Sequence, residues 1–194
     1  MKICVFCGSS LGRDSAYKEA ALETGAFFAK RDIELVYGGG HVGMMGVIAD
    51  AVLAGGGKVT GVMPAALVER EIAHKDLTSL IVVDSMHERK AEMATRADGF
   101  IALPGGAGTL EEVFEQWTWA QLGVHQKPCG FLNTKGYFDP LRAMIERIVT
   151  EGFMKADYAE MLAFSDSSED ILEAFESYVP PLRKWTDGAP GVQL

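Results

Sequence analysis

Short runs of β-branched and other apolar residues alternate with helix-period segments along nearly the whole chain, and each run ends on glycine, proline or a small polar residue. Strands joined through helices are parallel strands, because a parallel pair needs a crossover of a dozen or more residues. The alternation therefore predicts βα units in an open parallel sheet flanked by helices, an α/β fold. Strands are expected at 3–7, 33–37, 58–62, 80–83, 99–103 and 128–132, and helices at 15–30, 43–54, 86–96, 109–122 and 138–150. The segment SDSSED after Phe164 reads as a polar hinge before a short helix around 171–178. A single domain over residues 1–180 is expected, with a loosely ordered tail at 181–194 that carries prolines and glycines.

Where ligands could bind follows from the architecture. In an open parallel sheet they sit beyond the carboxyl ends of the strands, and here those ends run into Gly8-Ser9-Ser10, Gly38-Gly39-Gly40, Met63-Pro64 and Pro104-Gly105-Gly106. The 22 glycines among 194 residues exceed the usual share of about 7%. A formal net charge of −9 argues against a broad electrostatic grip on nucleic acid, so any phosphate site must be local. No apolar run approaches the ~18 residues of a membrane span and the N-terminus does not read as a signal peptide, so a cytoplasmic protein with no membrane partner is expected. Cys4 and Cys7 form a C-x-x-C, but on a strand they face opposite sides and read as buried core thiols rather than a redox pair. His41, His74, His87 and His125 show no metal-ligand spacing, and no metal is expected.

Three segments carry the chemistry. The first, PGGAGTLEE at 104–112, links a strand to a helix. Glycines at such a junction expose unpaired backbone N–H groups beside the positive end of a helix dipole, a ready anion site. The competing account is a tight turn closed by a capping box from Thr109 to Glu112. The second, YGGGHVGMMG at 37–46, contains G-x-G-x-x-G at Gly38, Gly40 and Gly43. Dinucleotide binding wants an acid about 20 residues on, where Lys58 and Thr60 stand instead. The loop, with Gly39 and Gly40, is expected to accommodate ribose or base, close packing of helix on strand being the alternative. The third, MHERK at 86–90, opens a helix whose start is marked by Asp84 and Ser85. Met86, Arg89, Met93 and Ala97 share one stripe, so Arg89 needs a partner: a structural carboxylate, a phosphate or a charge that develops in a reaction.

In this order and spacing, YGGGHVGMMG, MHERK and PGGAGTLEE resemble the LONELY GUY phosphoribohydrolases, a family long labelled lysine decarboxylases. The likeness spans about residues 1–180. It implies a dimeric enzyme of Rossmann-like fold that hydrolyses the N-glycosidic bond of cytokinin nucleotides, releasing an N6-substituted adenine and ribose 5-phosphate. It further implies that Arg89 and Glu112 are the catalytic pair and that Gly105, Gly106, Ala107, Gly108 and Thr109 receive the phosphate. Glu71, in a segment that resembles the family's R-E-I, Lys90 and Thr118 would contact the nucleotide. No cofactor is required by such a reaction. General nucleotide salvage and a non-catalytic nucleotide or cofactor carrier of similar fold are the rival readings. Amino-acid decarboxylation would ordinarily need pyridoxal phosphate on a lysine, and neither Lys58 nor Lys90 lies in a suitable context.

Overall fold

The computed structural model describes residues 1–69 and 72–182. The expected nucleotide contact Glu71 and the tail beyond Leu182 lie outside the described residues.

Seven parallel strands form one sheet in the order β4-β3-β2-β1-β5-β6-β7. They are β1 (Lys2–Phe6), β2 (Glu34–Tyr37), β3 (Val59–Pro64), β4 (Ser79–Val83), β5 (Gly99–Ala102), β6 (Cys129–Leu132) and β7 (Leu162–Ser165). The helices are α1 (Ser15–Lys30), α2 (Gly43–Ala54), α3 (Ala65–Val68), α4 (Met86–Arg96), α5 (Ala107–Leu122), α6 (Asp139–Thr150), α7 (Ala156–Ala159) and α8 (Ser168–Glu176). This is the open parallel α/β sheet that the alternation predicts and the Rossmann-like fold that the resemblance implies.

Strand residues alternate between two cores, as the period of two requires. Cys4, Phe6, Val36, Val62, Phe100 and Phe131 face α4, α5 and α6, where Met93, Val113, Trp117 and Ile145 meet them. Ile3, Val5, Leu35, Tyr37, Val59 and Ile101 face α1, α2 and α8, packing on Phe28, Ile48, Val52 and Ile171. Cys4 and Cys7 fall in opposite cores, and both thiols are buried and pushed up in pKa, first by desolvation and next by the nearby Glu112. The indole N–H of Trp117 donates to the Tyr158 carbonyl at 2.8 Å, so the bulkiest side chain of that core buries no orphan donor.

Four expectations change. A seventh strand, β7, pairs in register with β6 from Cys129↔Leu162 to Leu132↔Ser165, where the sequence reading placed no strand. The expected hinge SDSSED is the end of that strand and the start of α8: Ser167 caps the helix by accepting from the Asp170 N–H, so α8 begins at Ser168 rather than near residue 171. The two four-residue helices α3 and α7 are too short for periodicity to reveal. Helix α5 starts at Ala107, two residues before the expected 109, with Gly106 at its N-cap and no side-chain cap. Thr109 thus lies inside the helix, and the capping box between Thr109 and Glu112 does not form. On α4 the N-cap is a side-chain one: Ser85 Oγ accepts from the Glu88 N–H at 3.1 Å, and the Glu88 carboxylate reaches back past the cap to accept from the Asp84 N–H at 2.9 Å.

Candidate active site

The strand order reverses direction at β1, whose neighbours are β2 on one side and β5 on the other. A crevice opens at the carboxyl end of such a reversal, since the connections leave it in opposite directions. Here a cavity of about 240 Å³ lies between the loop after β1 and the loop after β5, lined by Gly8, Ser10, Tyr17, Met44, Gly105 and Tyr137 among others. The two loops touch: the Gly8 N–H donates to the Pro104 carbonyl at 3.1 Å, and a Cβ on Gly105 would stand 2.8 Å from Gly8 N and 2.1 Å from Thr109 Oγ1. Tyr137 closes the rim, donating its hydroxyl to the Gly105 carbonyl at 2.7 Å.

Beyond this contact the glycine loop faces open space. Nothing lies within 4 Å of a Cβ built on Gly106 or Gly108. The first turn of α5 carries the N–H groups of Ala107, Gly108 and Thr109 before the Leu110 N–H bonds back to the Gly106 carbonyl at 3.2 Å. Three donors, the positive end of a 16-residue helix and no side chain in front of Gly106 or Gly108 make a ledge suited to an anion. Thr109 itself is 4% exposed, wedged against Gly105.

Arg89 is fixed from three directions. Its Nε donates to the Val62 carbonyl of β3 at 3.0 Å and its Nη2 to the Gly38 carbonyl at the end of β2, also at 3.0 Å. Nη1 remains, 3.8 Å from the Met86 sulphur and 3.7 Å from Oε1 of Glu112. The guanidinium is therefore bolted to two strand ends while one edge faces a carboxylate on α5. Both side chains are mostly buried, at 11% and 16% exposure. Burial is the main influence on Glu112 and raises its pKa above the ordinary carboxylate range; Arg89 and Lys90 oppose that rise, and Glu111 and Glu115 add to it.

Lys90 follows a different path from its neighbour. Its ammonium contacts Glu111 at 2.5 Å and Glu115 at 3.0 Å and is 8% exposed. Desolvation works to lower its pKa, but the two carboxylates outweigh it and the net direction is upward. Thr118 lies six residues beyond Glu112 on α5, about 9 Å farther along the axis, and is exposed. Within one chain it is not brought together with Arg89 and Glu112.

The second glycine loop is tied back on the chain. The His74 N–H donates to the Gly39 carbonyl at 2.8 Å, the His41 N–H to Ile72 at 3.1 Å, and Gly40 bridges Ala73. Gly39 has φ +78°, a backbone state glycine adopts freely. At Gly43 the close-packing account holds, because a Cβ there would lie 2.2 Å from the Ser9 backbone. At Gly38 the reason is chemical: a side chain would displace Arg89.

Sequence reasoning marked Arg89 and Glu112 but not what holds them. The roles of Gly38 and of Glu111 and Glu115 rest on contacts across 51, 21 and 25 residues, which no local pattern signals.

A family model described as "Possible lysine decarboxylase" matches residues 45–175. A probable cytokinin riboside 5′-monophosphate phosphoribohydrolase of Oryza sativa subsp. japonica is 48% identical over 190 residues, covering 95% of this chain and 85% of that protein. A cytokinin riboside 5′-monophosphate phosphoribohydrolase of Arabidopsis thaliana is 49% identical over 179 residues, covering 92% and 84%. Among solved structures, the molybdenum cofactor carrier protein of Chlamydomonas reinhardtii superposes with a TM-score of 0.68 at 17% identity, covering 91% and 96%, a likeness of fold.

Proposed function

The chain belongs to the cytokinin riboside 5′-monophosphate phosphoribohydrolase family, and from that premise we propose that it cleaves N6-substituted adenosine 5′-monophosphates into free base and ribose 5-phosphate with Glu112 and Arg89 as its catalytic pair. The observation that carries the assignment of roles is the pairing itself. A carboxylate and a rigidly held guanidinium face each other 3.7 Å apart, beside a ledge of backbone donors.

The bond to be broken runs from C1′ of the ribose to a ring nitrogen of the base. As it lengthens, positive charge grows on the sugar and negative charge on the base, and water completes the exchange by adding hydroxyl to C1′ while its proton ends on the base. Glu112 supplies the negative charge by the sugar and accepts or orients the water proton, as carboxylates do in glycoside hydrolysis. Arg89 holds the nucleotide and offsets the developing negative charge; with Nε and Nη2 tied to strand carbonyls it needs no reorganisation to do so. The first turn of α5, from Gly106 to Thr109, receives the 5′-phosphate. Phosphate binding is the handle that positions the scissile bond.

The family description's lysine chemistry finds no support at Lys90 or Lys58. Lys90 is held between two carboxylates, and Lys58 precedes the amino end of β3, whereas Arg89 is anchored near the carboxyl end of that strand, on the Val62 carbonyl.

The test is to incubate the purified protein with isopentenyladenosine monophosphate, AMP and isopentenyladenosine, following base and ribose 5-phosphate by chromatography. Base release from the monophosphates and little from the nucleoside is expected, and the rate ratio of the two monophosphates ranks hormone activation against salvage. Equal cleavage of the nucleoside would remove the phosphate from the account, and no release from any of the three would favour a carrier.

A further inference from the structure

Two helices meet at the site through consecutive residues. Arg89 and Lys90 on α4 face Glu111, Glu112 and Glu115 on α5, three carboxylates within five positions. Arg89 turns to Glu112, while Lys90 bridges Glu111 and Glu115, which stand one helical turn apart on either side of it. The ammonium is nearly sealed, and Glu115 has its second carboxylate oxygen buried without a partner among the described residues. Lys90 is thus the group that compensates these two carboxylates.

We propose that Lys90 is a positioning residue for the reaction, neutralising Glu111 and Glu115 so that Glu112 keeps its negative charge and α5 keeps its docking on α4, rather than a group that touches the nucleotide. This rests on the reading of Glu112 as the catalytic carboxylate. The geometry favours it because two of the three donors of the ammonium are engaged within the protein, on flanking acids. Without Lys90, like charges would crowd a carboxylate that is already poorly solvated, and such crowding favours its protonated form. The charged or titratable groups that bear on Glu112 are Arg89 and Lys90 from α4, Glu111 and Glu115 from α5, and the thiols of Cys4 on β1 and Cys7 just beyond it. Among them, only the arginine and the lysine carry positive charge.

The experiment is a pH–rate profile on full-length protein with AMP as substrate for four forms: wild type, Lys90→Met, Lys90→Arg, and the triple variant Lys90→Met with Glu111→Gln and Glu115→Gln. Lys90→Met should move the acid limb of kcat to higher pH by about one pH unit with KM little changed. Lys90→Arg should stay close to wild type, and the triple variant should return the limb toward its original position because the uncompensated charges are gone. A KM that rises at least tenfold in both the Met and the triple variant, with an unmoved acid limb, would overturn the proposal and make Lys90 a nucleotide ligand. If Lys90→Met does not fold, the comparison is read from the triple variant and Lys90→Arg: recovery of activity without any cation at position 90 supports positioning, and its loss in a folded triple variant contradicts it. A Glu112→Gln control as active as wild type would instead bring down the reading of Glu112, a separate failure.

Discussion

A methyl group on Gly38 would stand 1.9 Å from Nη2 of Arg89, inside the space its guanidinium occupies while donating to the Gly38 carbonyl. Only a hydrogen in place of a side chain lets the arginine reach across from α4 to the end of β2. Gly38→Ala should therefore push Arg89 off its carbonyl and out of line with Glu112. A loss of kcat of about 100-fold, as for removal of one preorganised donor, is expected in a protein that still melts cooperatively. Steady-state kinetics on the folded variant check this, and wild-type turnover would show that the clamp is dispensable.

The raised pKa of Glu112 makes two linked statements about pH. Desolvation by burial is its leading cause, and the mechanism needs the ionised form, so kcat should fall with acidification at a pH above the ordinary glutamate range. For stability the sign is opposite. A carboxyl whose folded pKa lies above its unfolded value contributes stability that is fully present below the unfolded pKa and is lost as pH rises through the folded one. Glu112→Gln, which cannot ionise, should thus gain in Tm over wild type as the pH goes from about 4 to neutrality. Thermal melts of both proteins across that range test it, and a growing deficit of the variant toward neutral pH would contradict the reading.

The glycines of the loop after β5 separate by what lies in front of them. Gly105→Ala meets Thr109 and the Gly8 backbone and should destabilise the fold by about 1–3 kcal/mol. Gly108→Ala meets nothing and replaces a glycine within α5 by the best helix former, a gain of up to ~1 kcal/mol. Gly106→Ala likewise has room. If the phosphate rests on this ledge, both of the latter variants should raise KM, with Tm unchanged or higher for Gly108→Ala and slightly lower for Gly106→Ala, because alanine is a poorer N-cap than glycine. Unchanged KM would place the phosphate elsewhere.

The sheet was readable because six of its seven runs, β1 to β6, are apolar and end on turn residues. Strand β7, LAFS, is four residues long with only Leu162 and Phe164 entering the core that faces α4, α5 and α6, and the polar residues after it hide both its end and the Ser167 cap of α8. The start of α5 was misplaced because Thr109-x-x-Glu112 has the pattern of a capping box, whereas Gly106 holds the N-cap position without a side chain. Arg89 announced itself as a charge on an apolar stripe. What anchors it did not, because Val62 and Gly38 contribute backbone carbonyls, which carry no mark in the sequence.

The most direct test of the account compares Glu112→Gln with wild type in two measurements on the same preparations, AMP affinity by calorimetry and single-turnover release of adenine. The account predicts that the variant binds AMP with affinity close to that of wild type and that its turnover falls on the order of 100-fold or more. Turnover equal to wild type would contradict it and leave Glu112 a buried structural carboxylate.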